Sequence, residues 1–336
     1  MYNASHETIR SYMFHKDLSD LNILTFATHE RYEQGLCGTG HNFYSLDIGG
    51  KTWETEYGEA PSNYHQIKMI PNTLKIDLVL AQHQSHLPAA MEISKNFGVP
   101  VILLTHVLPQ PSEDWQIQWM RKNALELTSN NVFISNYSKS IWMGENSNAK
   151  VIEHGIDVDF WDTCLKPFYG RSKKRHCLSV VNELPTRDWC CGFNLWRTIS
   201  ESVPCGVVGK CTSHPDFSKA AESKEHLRDI YQEASLYLNT SLVSPVPTAM
   251  LEAMACGLPI VSTNNCMIPE IIEHGVNGYL SNDPQELISF CNELLSDNER
   301  AAEMGARAKE TVRKCFNMER FVSDWNLHFK EVVTKN

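Results

Sequence analysis

The residues from Thr240 to Ile272, TSLVSPVPTAMLEAMACGLPIVSTNNCMIPEII, bring a helix start, a carboxylate and several backbone amides into what reads as one ligand site. Leu236 to Ser241 has the period-two pattern of a half-buried strand, and Ser244-Pro245-Val246-Pro247 cannot continue a ladder because its prolines carry no N–H. A helix is expected from Thr248, with Thr248 as its N-cap and Ala249, Met250, Leu251 and Glu252 as good formers. Gly257 and Pro259 stop it before a strand at Ile260-Val261-Ser262. In an open α/β sheet such a helix start lies at the carboxyl ends of the strands, where its unpaired N–H groups and positive dipole end suit a phosphate. Glu252 falls one turn in, so its carboxylate can accept two hydroxyl hydrogen bonds from a ribose or another sugar.

This segment resembles the signature of retaining, GT-B-fold glycosyltransferases of family 4 (glycosyl transferases group 1), "PS-x-x-E-x-x-G-x-x-x-x-E-A-M-A-x-G-x-P-V-V" followed by "G-G-x-P-E". Ser241 matches the serine, Glu252-Ala253-Met254-Ala255-Cys256-Gly257-Leu258-Pro259 matches the core, and Pro269-Glu270-Ile271-Ile272 matches the closing P-E. Three positions depart from the pattern: the first glutamate falls on Ser244, the glycine on Pro247, and the double glycine on Cys266-Met267. The resemblance implies that Glu252 holds the nucleotide ribose and that Pro247, Thr248, Ala249, Cys266, Met267 and Ile268 contact the donor. Ser244 is either a donor contact or a plain loop serine. A serine cannot supply the missing carboxylate, so Glu270, His106 and the amides of Cys266 to Ile268 are the groups left to reach the transferred sugar.

The same resemblance extends to other stretches. Leu103-Leu104-Thr105-His106 is similar to the T-H that closes a first-domain strand, which implies a hydrogen bond from His106 to the sugar. Gly35-Leu36-Cys37-Gly38-Thr39-Gly40-His41 follows the first strand and is expected to lead into a helix, with Gly38 and Gly40 facing the donor or serving as a plain turn. Val151-Ile152-Glu153-His154-Gly155-Ile156-Asp157 resembles the "V-I-x-N-G-I-D" that ends the first domain, with His154 where Asn is usual. Where the family has "G-R-L-x-x-x-K-G" for the donor pyrophosphate, only Arg187 remains, so Lys210 in the next turn is the second candidate cation. Asp157-Val158-Asp159 imitates a D-x-D metal motif but belongs to the linker, and His83-Gln84-Ser85-His86 lacks a third metal ligand. No metal or cofactor is expected, because helix dipoles and basic side chains neutralise the leaving diphosphate.

The elements that must position these residues alternate between strands and helix-length segments, the pattern of parallel, doubly wound sheets. Strands are expected at Asn22–Thr28, Ile76–Gln82, Val99–Thr105 and Asn131–Ser135, and late helices at about Gln285–Ser296, Glu299–Lys314 and Met318–Val333. At 336 residues the chain fits two α/β units. The expected organisation is an acceptor-side Rossmann-like domain at 1–157, a nucleotide-sugar-binding one at 158–315, and a final helix at 316–336 that crosses back, in the GT-B arrangement of two domains facing a cleft.

A net charge of −10 excludes a duplex-binding surface as the main interaction. The basic run Arg171-Ser172-Lys173-Lys174-Arg175-His176 reads as a solvated linker or an anion contact. The eleven cysteines include no C-x-x-C pair, so they read as free thiols. Without an apolar leader or a span of about 18 apolar residues, the protein is expected in the cytoplasm, and the sequons at Asn3, Asn136 and Asn239 read as chance. The implied function is transfer of a sugar, with retention, from a nucleotide-diphosphate sugar, UDP favoured over GDP, to a glycan or other hydroxyl-bearing acceptor. The alternatives are a silent nucleotide-sugar-binding protein or a GT-B-type epimerase.

Overall fold

The computed structural model describes residues 20–49, 52–53, 58–110, 113–162 and 175–335. Its first sheet contains β1 (Asn22–Thr25), β2 (Asn42–Leu46), β3 (Tyr64–Ile67), β4 (Leu78–Ala81), β5 (Val101–Thr105), β6 (Asn131–Phe133) and β7 (Lys150–Val151). The second contains β8 (Cys177–Val180), β9 (Cys205–Val208), β10 (Leu236–Asn239), β11 (Ile260–Ser262) and β12 (Gly278–Leu280). Every pairing in both sheets is parallel. Continuous apolar runs such as LVLA in β4 and VILLT in β5 are buried along their whole length, as strands covered on both faces must be. The strand orders are β3-β2-β1-β4-β5-β6-β7 and β12-β11-β10-β8-β9. Each reverses direction once, between β1 and β4 in the first sheet and between β8 and β10 in the second, which is where such sheets open a crevice at their carboxyl ends.

The four strands expected in the first half are present, and β2 and β3 are additional. The expected helix after the glycines is corrected: the helix Glu30–Cys37 precedes them, and Gly38 to His41 lead into β2. The reason lies in two periodicities. Tyr32, Glu33, Leu36 and Cys37 bury one helical face, whereas NFYSL buries every second residue. A second correction concerns Thr248, which is the first residue of the helix Thr248–Ala255; Pro247 holds the cap position and no side chain caps this end. Asp283 caps the helix Pro284–Ser296 by accepting from the Gln285 amide, as its sequence implies.

The helix Met318–Lys335 returns to the first sheet. Phe321, Trp325, Phe329 and Val332 join one apolar cluster with Ile23, Leu36, Phe43 and Ile102. The Trp325 indole N–H donates to the Tyr32 hydroxyl at 3.1 Å, and Arg320 donates to the carbonyls of Glu153 and His154 at 3.0 and 2.7 Å. Two crossings of the chain are thereby joined, since the Ile156 amide also bonds the Phe316 carbonyl at 2.7 Å. Of the basic run, residues 171–174 lie outside the described residues, and Arg175 donates to the Leu294 carbonyl. Trp325 is fully buried. Trp325→Ala should cost about 3–5 kcal/mol in denaturant unfolding; a loss below about 1 kcal/mol would show that the returning helix does not hold the first domain.

Candidate functional site

The two switch points face one another across a cavity of about 450 Å³. From the second domain it is lined by Val181 and Asn182 after β8, by Asn239, Thr240 and Ser241 at the end of β10, and by Ser244 to Ala249 up to the helix start. From the first it is lined by His29, Arg31 and Tyr32 after β1, by His106 after β5, and by His154 and Gly155 in the linker.

On the second-domain wall the turn after β10 is held by its own polar side chains. Ser241 Oγ donates to Asn239 Oδ1 at 2.8 Å, Thr240 Oγ1 to the Cys191 carbonyl at 2.9 Å, and Thr263 Oγ1 to the Ser241 carbonyl at 2.6 Å. Gly192 permits this approach. It has φ +69°, and a Cβ there would lie 2.1 Å from the Thr240 carbonyl oxygen. The short helix Asp188–Cys191 is thus pressed against the end of β10, which brings Arg187 to the cavity. Arg187 is exposed, and beside it Pro247, Thr248 and Ala249 present the helix start, so a cation and a positive dipole end share one wall.

The first-domain wall is built of imidazoles. Tyr32 stands edge-on to both His106 and His154, with ring centroids 4.5 and 5.1 Å apart, and His29 lies 6.0 Å from His106. The His106 Nε2–H donates to Gln82 Oε1 at 3.4 Å. Burial, reinforced by the neighbouring His154 and His29, holds the His106 pKa well below the ordinary histidine value; burial pushes His154 down to about 3. At neutral pH both rings are uncharged and able to donate one N–H each.

The two carboxylates singled out by sequence are both engaged across the cleft. Glu252 is 2% exposed, its Oε1 pairs with the Arg31 guanidinium, and its Oε2 accepts from the Tyr231 hydroxyl at 3.2 Å. Burial raises its pKa, and Arg31 is the chief group opposing that rise. Glu270 accepts the amides of Asn136 and Tyr137 at 3.0 and 2.5 Å, capping the first-domain helix Asn136–Met143 from the opposite domain.

The structure therefore gathers His106, Arg187, Ser244, Pro247, Thr248 and Ala249 around one cavity and leaves other expected residues off its lining. Gly38 and Gly40 sit at the far end of the helix Glu30–Cys37, because the helix starts immediately after β1 and carries them away from the sheet's carboxyl edge. Lys210 is exposed in the turn after β9, its amide bonded to Asn182 Oδ1. Met267 and Ile268 bury their side chains in the second-domain core, while Cys266, at φ +53°, keeps the left-handed backbone that glycine adopts freely. Asp157 and Asp159 pair with Lys224 and Arg313, and His83 caps the turn Gln84–His86 by accepting from the Ser85 amide. Among the described residues no cluster of three or more His, Cys, Asp or Glu is arranged to hold a metal ion.

Sequence reading missed Arg31, Tyr32 and the cavity role of His154. Their one signal was position: Thr28-His29-Glu30-Arg31 directly follows the strand at the switch point, where side chains open into the crevice. Because His154 stays neutral in the folded chain while the unfolded chain takes up a proton, stability is fully present above pH about 6.5 and is lost as pH falls toward about 3. Lowering the pH from 7 to 5 should cost on the order of 1–2 kcal/mol through His154. Thermal melts of His154→Asn should show a shallower acid slope; an unchanged slope would mean that the ring titrates freely in the folded protein.

Comparison with known proteins gives this geometry a family. The model of "Glycosyl transferases group 1" matches residues 214–311. N-acetyl-alpha-D-glucosaminyl L-malate synthase of Bacillus anthracis is 33% identical over 112 residues, which are 33% of this chain and 29% of that protein. The matched stretches span less than a third of the length of the first such relatives. Among solved structures, HepE of Anabaena in complex with UDP superposes with a TM-score of 0.73 at 16% identity, covering 95% of this chain and 100% of that one. Sucrose-phosphate synthase of Thermosynechococcus elongatus gives 0.72 at 13% identity, covering 94% and 100%. The second domain therefore belongs to the glycosyl transferases group 1 family, and the chain as a whole has the GT-B fold.

Proposed function

We propose that the protein transfers a sugar, with retention of anomeric configuration, from a nucleotide-diphosphate sugar to a hydroxyl-bearing acceptor such as a glycan, without a metal ion. The observation that carries this reading is the shared wall of Arg187 and the helix start at Pro247, Thr248 and Ala249, opposite the neutral His106. In this reading the diphosphate lies between Arg187 and the helix end. As the glycosidic bond to the phosphate breaks, negative charge develops where an arginine fork and a dipole are already in place. His106 donates a hydrogen bond to the transferred sugar without adding a fixed charge. Glu252 receives the ribose.

HepE has been solved with UDP and with UDP-glucose, which supports UDP over GDP as the nucleotide here. Ten cysteines stand as free thiols among the described residues, which supports a reducing, cytoplasmic setting. A silent nucleotide-sugar-binding role is the second reading, favoured by Ser244 at a cavity position where the family pattern places glutamate.

UDP at millimolar concentration should raise the thermal midpoint in the presence of EDTA, because a ligand that binds only the folded state stabilises it. Absence of any shift with UDP, GDP or ADP would remove the donor-site assignment. Arg187→Gln should weaken UDP binding by about 1.5–3 kcal/mol, roughly 10- to 100-fold, as loss of a charge-assisted contact predicts. Incubation with labelled UDP-sugars and a panel of acceptors separates transfer from binding alone: UDP release with glycosylated product supports the enzyme, and nucleotide binding without turnover supports the silent binder.

A further inference from the structure

Glu252 and Arg31 come from opposite domains, and their pairing governs access to the nucleotide site; this inference rests on the donor-site reading above. The Arg31 guanidinium, projecting from the first-domain helix Glu30–Cys37, binds Glu252 Oε1, while the Tyr231 hydroxyl occupies Oε2 from behind. Arg31 lines the cavity and its side chain is 36% exposed; Glu252 does not line the cavity and is 2% exposed. The guanidinium thus stands between the carboxylate and the space a nucleotide would enter. Tyr231 cannot move aside in its place, since it is fully buried and its hydroxyl is also shared with the Ala249 carbonyl at 3.0 Å.

We propose that Arg31 competes with the nucleotide for Glu252, so that entry of a nucleoside diphosphate exchanges the guanidinium for the ribose hydroxyls. The chemistry of the exchange is balanced in hydrogen bonds. A buried carboxylate stripped of a cation is costly, and ribose hydroxyls are the incoming donors that keep it satisfied. Arg31 is a positioning residue in this scheme: it keeps Glu252 ionised and aimed before the nucleotide arrives and yields when it does. The contact crosses between domains, so the exchange also releases one tie that holds the cleft closed in the absence of nucleotide.

Titration of the full chain with UDP alone, followed calorimetrically, tests the competition. Arg31→Gln should lower the UDP dissociation constant at least about fivefold, whereas Arg31→Lys, which keeps a cation at the position, should stay within about threefold of the unmodified protein. In a Glu252→Gln background, where there is no charge to compete for, Arg31→Gln should change the dissociation constant less than about twofold. Weaker UDP binding by Arg31→Gln would make Arg31 a direct nucleotide contact and overturn the proposal, as would an unchanged constant. Failure of the unmodified protein to bind UDP, GDP or ADP would instead overturn the donor-site reading itself. Circular dichroism of each variant confirms that it is folded, and the partial exposure of Arg31 favours that outcome.

Discussion

A parallel sheet points the carboxyl ends of all its strands to one side, and this chain contains two such sheets with those sides opposed. Much else in the molecule follows from that constraint. Loops that leave β1 and β5 in one domain, and β8 and β10 in the other, must cross the same space, so residues far apart in sequence meet there without any local motif bringing them together. The apolar clusters on the faces of both sheets supply the stability, and they leave the sheet ends to polar side chains.

The cavity is asymmetric in its electrostatics. Its second-domain wall carries a fixed cation and a helix start; its first-domain wall carries imidazoles that burial keeps neutral. Such a division suits a ligand with one anionic end and one hydroxylated end. The carboxylates near it are each tied across the cleft, Glu252 to Arg31 and Glu270 to the amides of Asn136 and Tyr137. Negative charge is thereby compensated before any ligand arrives, and the domains are held together by the same contacts.

Local chemistry made the donor side legible. Between Leu236 and Ile272 the prolines, the run of helix formers and the Gly-x-Pro stop act over a few residues, and the structure follows them closely, with β10 at Leu236–Asn239, the helix at Thr248–Ala255 and β11 at Ile260–Ser262. The fold class was legible for the same reason, because alternation of strands and helices is a short-range pattern. Where two short-range signals compete, reading fails. Glycines after β1 resemble a ligand loop, yet the helix begins before them, since Tyr32, Glu33 and Leu36 gain more by burying one helical face against the sheet and the returning helix.

What the sequence by itself determined is the set of elements and the identity of the groups at their ends: Arg187, Thr248, Glu252 and His106 each follow from a strand end or a helix start. Tertiary structure alone decided their partners. Arg31 and Glu252 lie 221 positions apart, and Glu270 lies 134 from Asn136, so no periodicity or spacing connects them. A buried carboxylate requires a compensating donor, but that requirement does not say which one; only the packing of one sheet edge against the other brings Arg31 within reach.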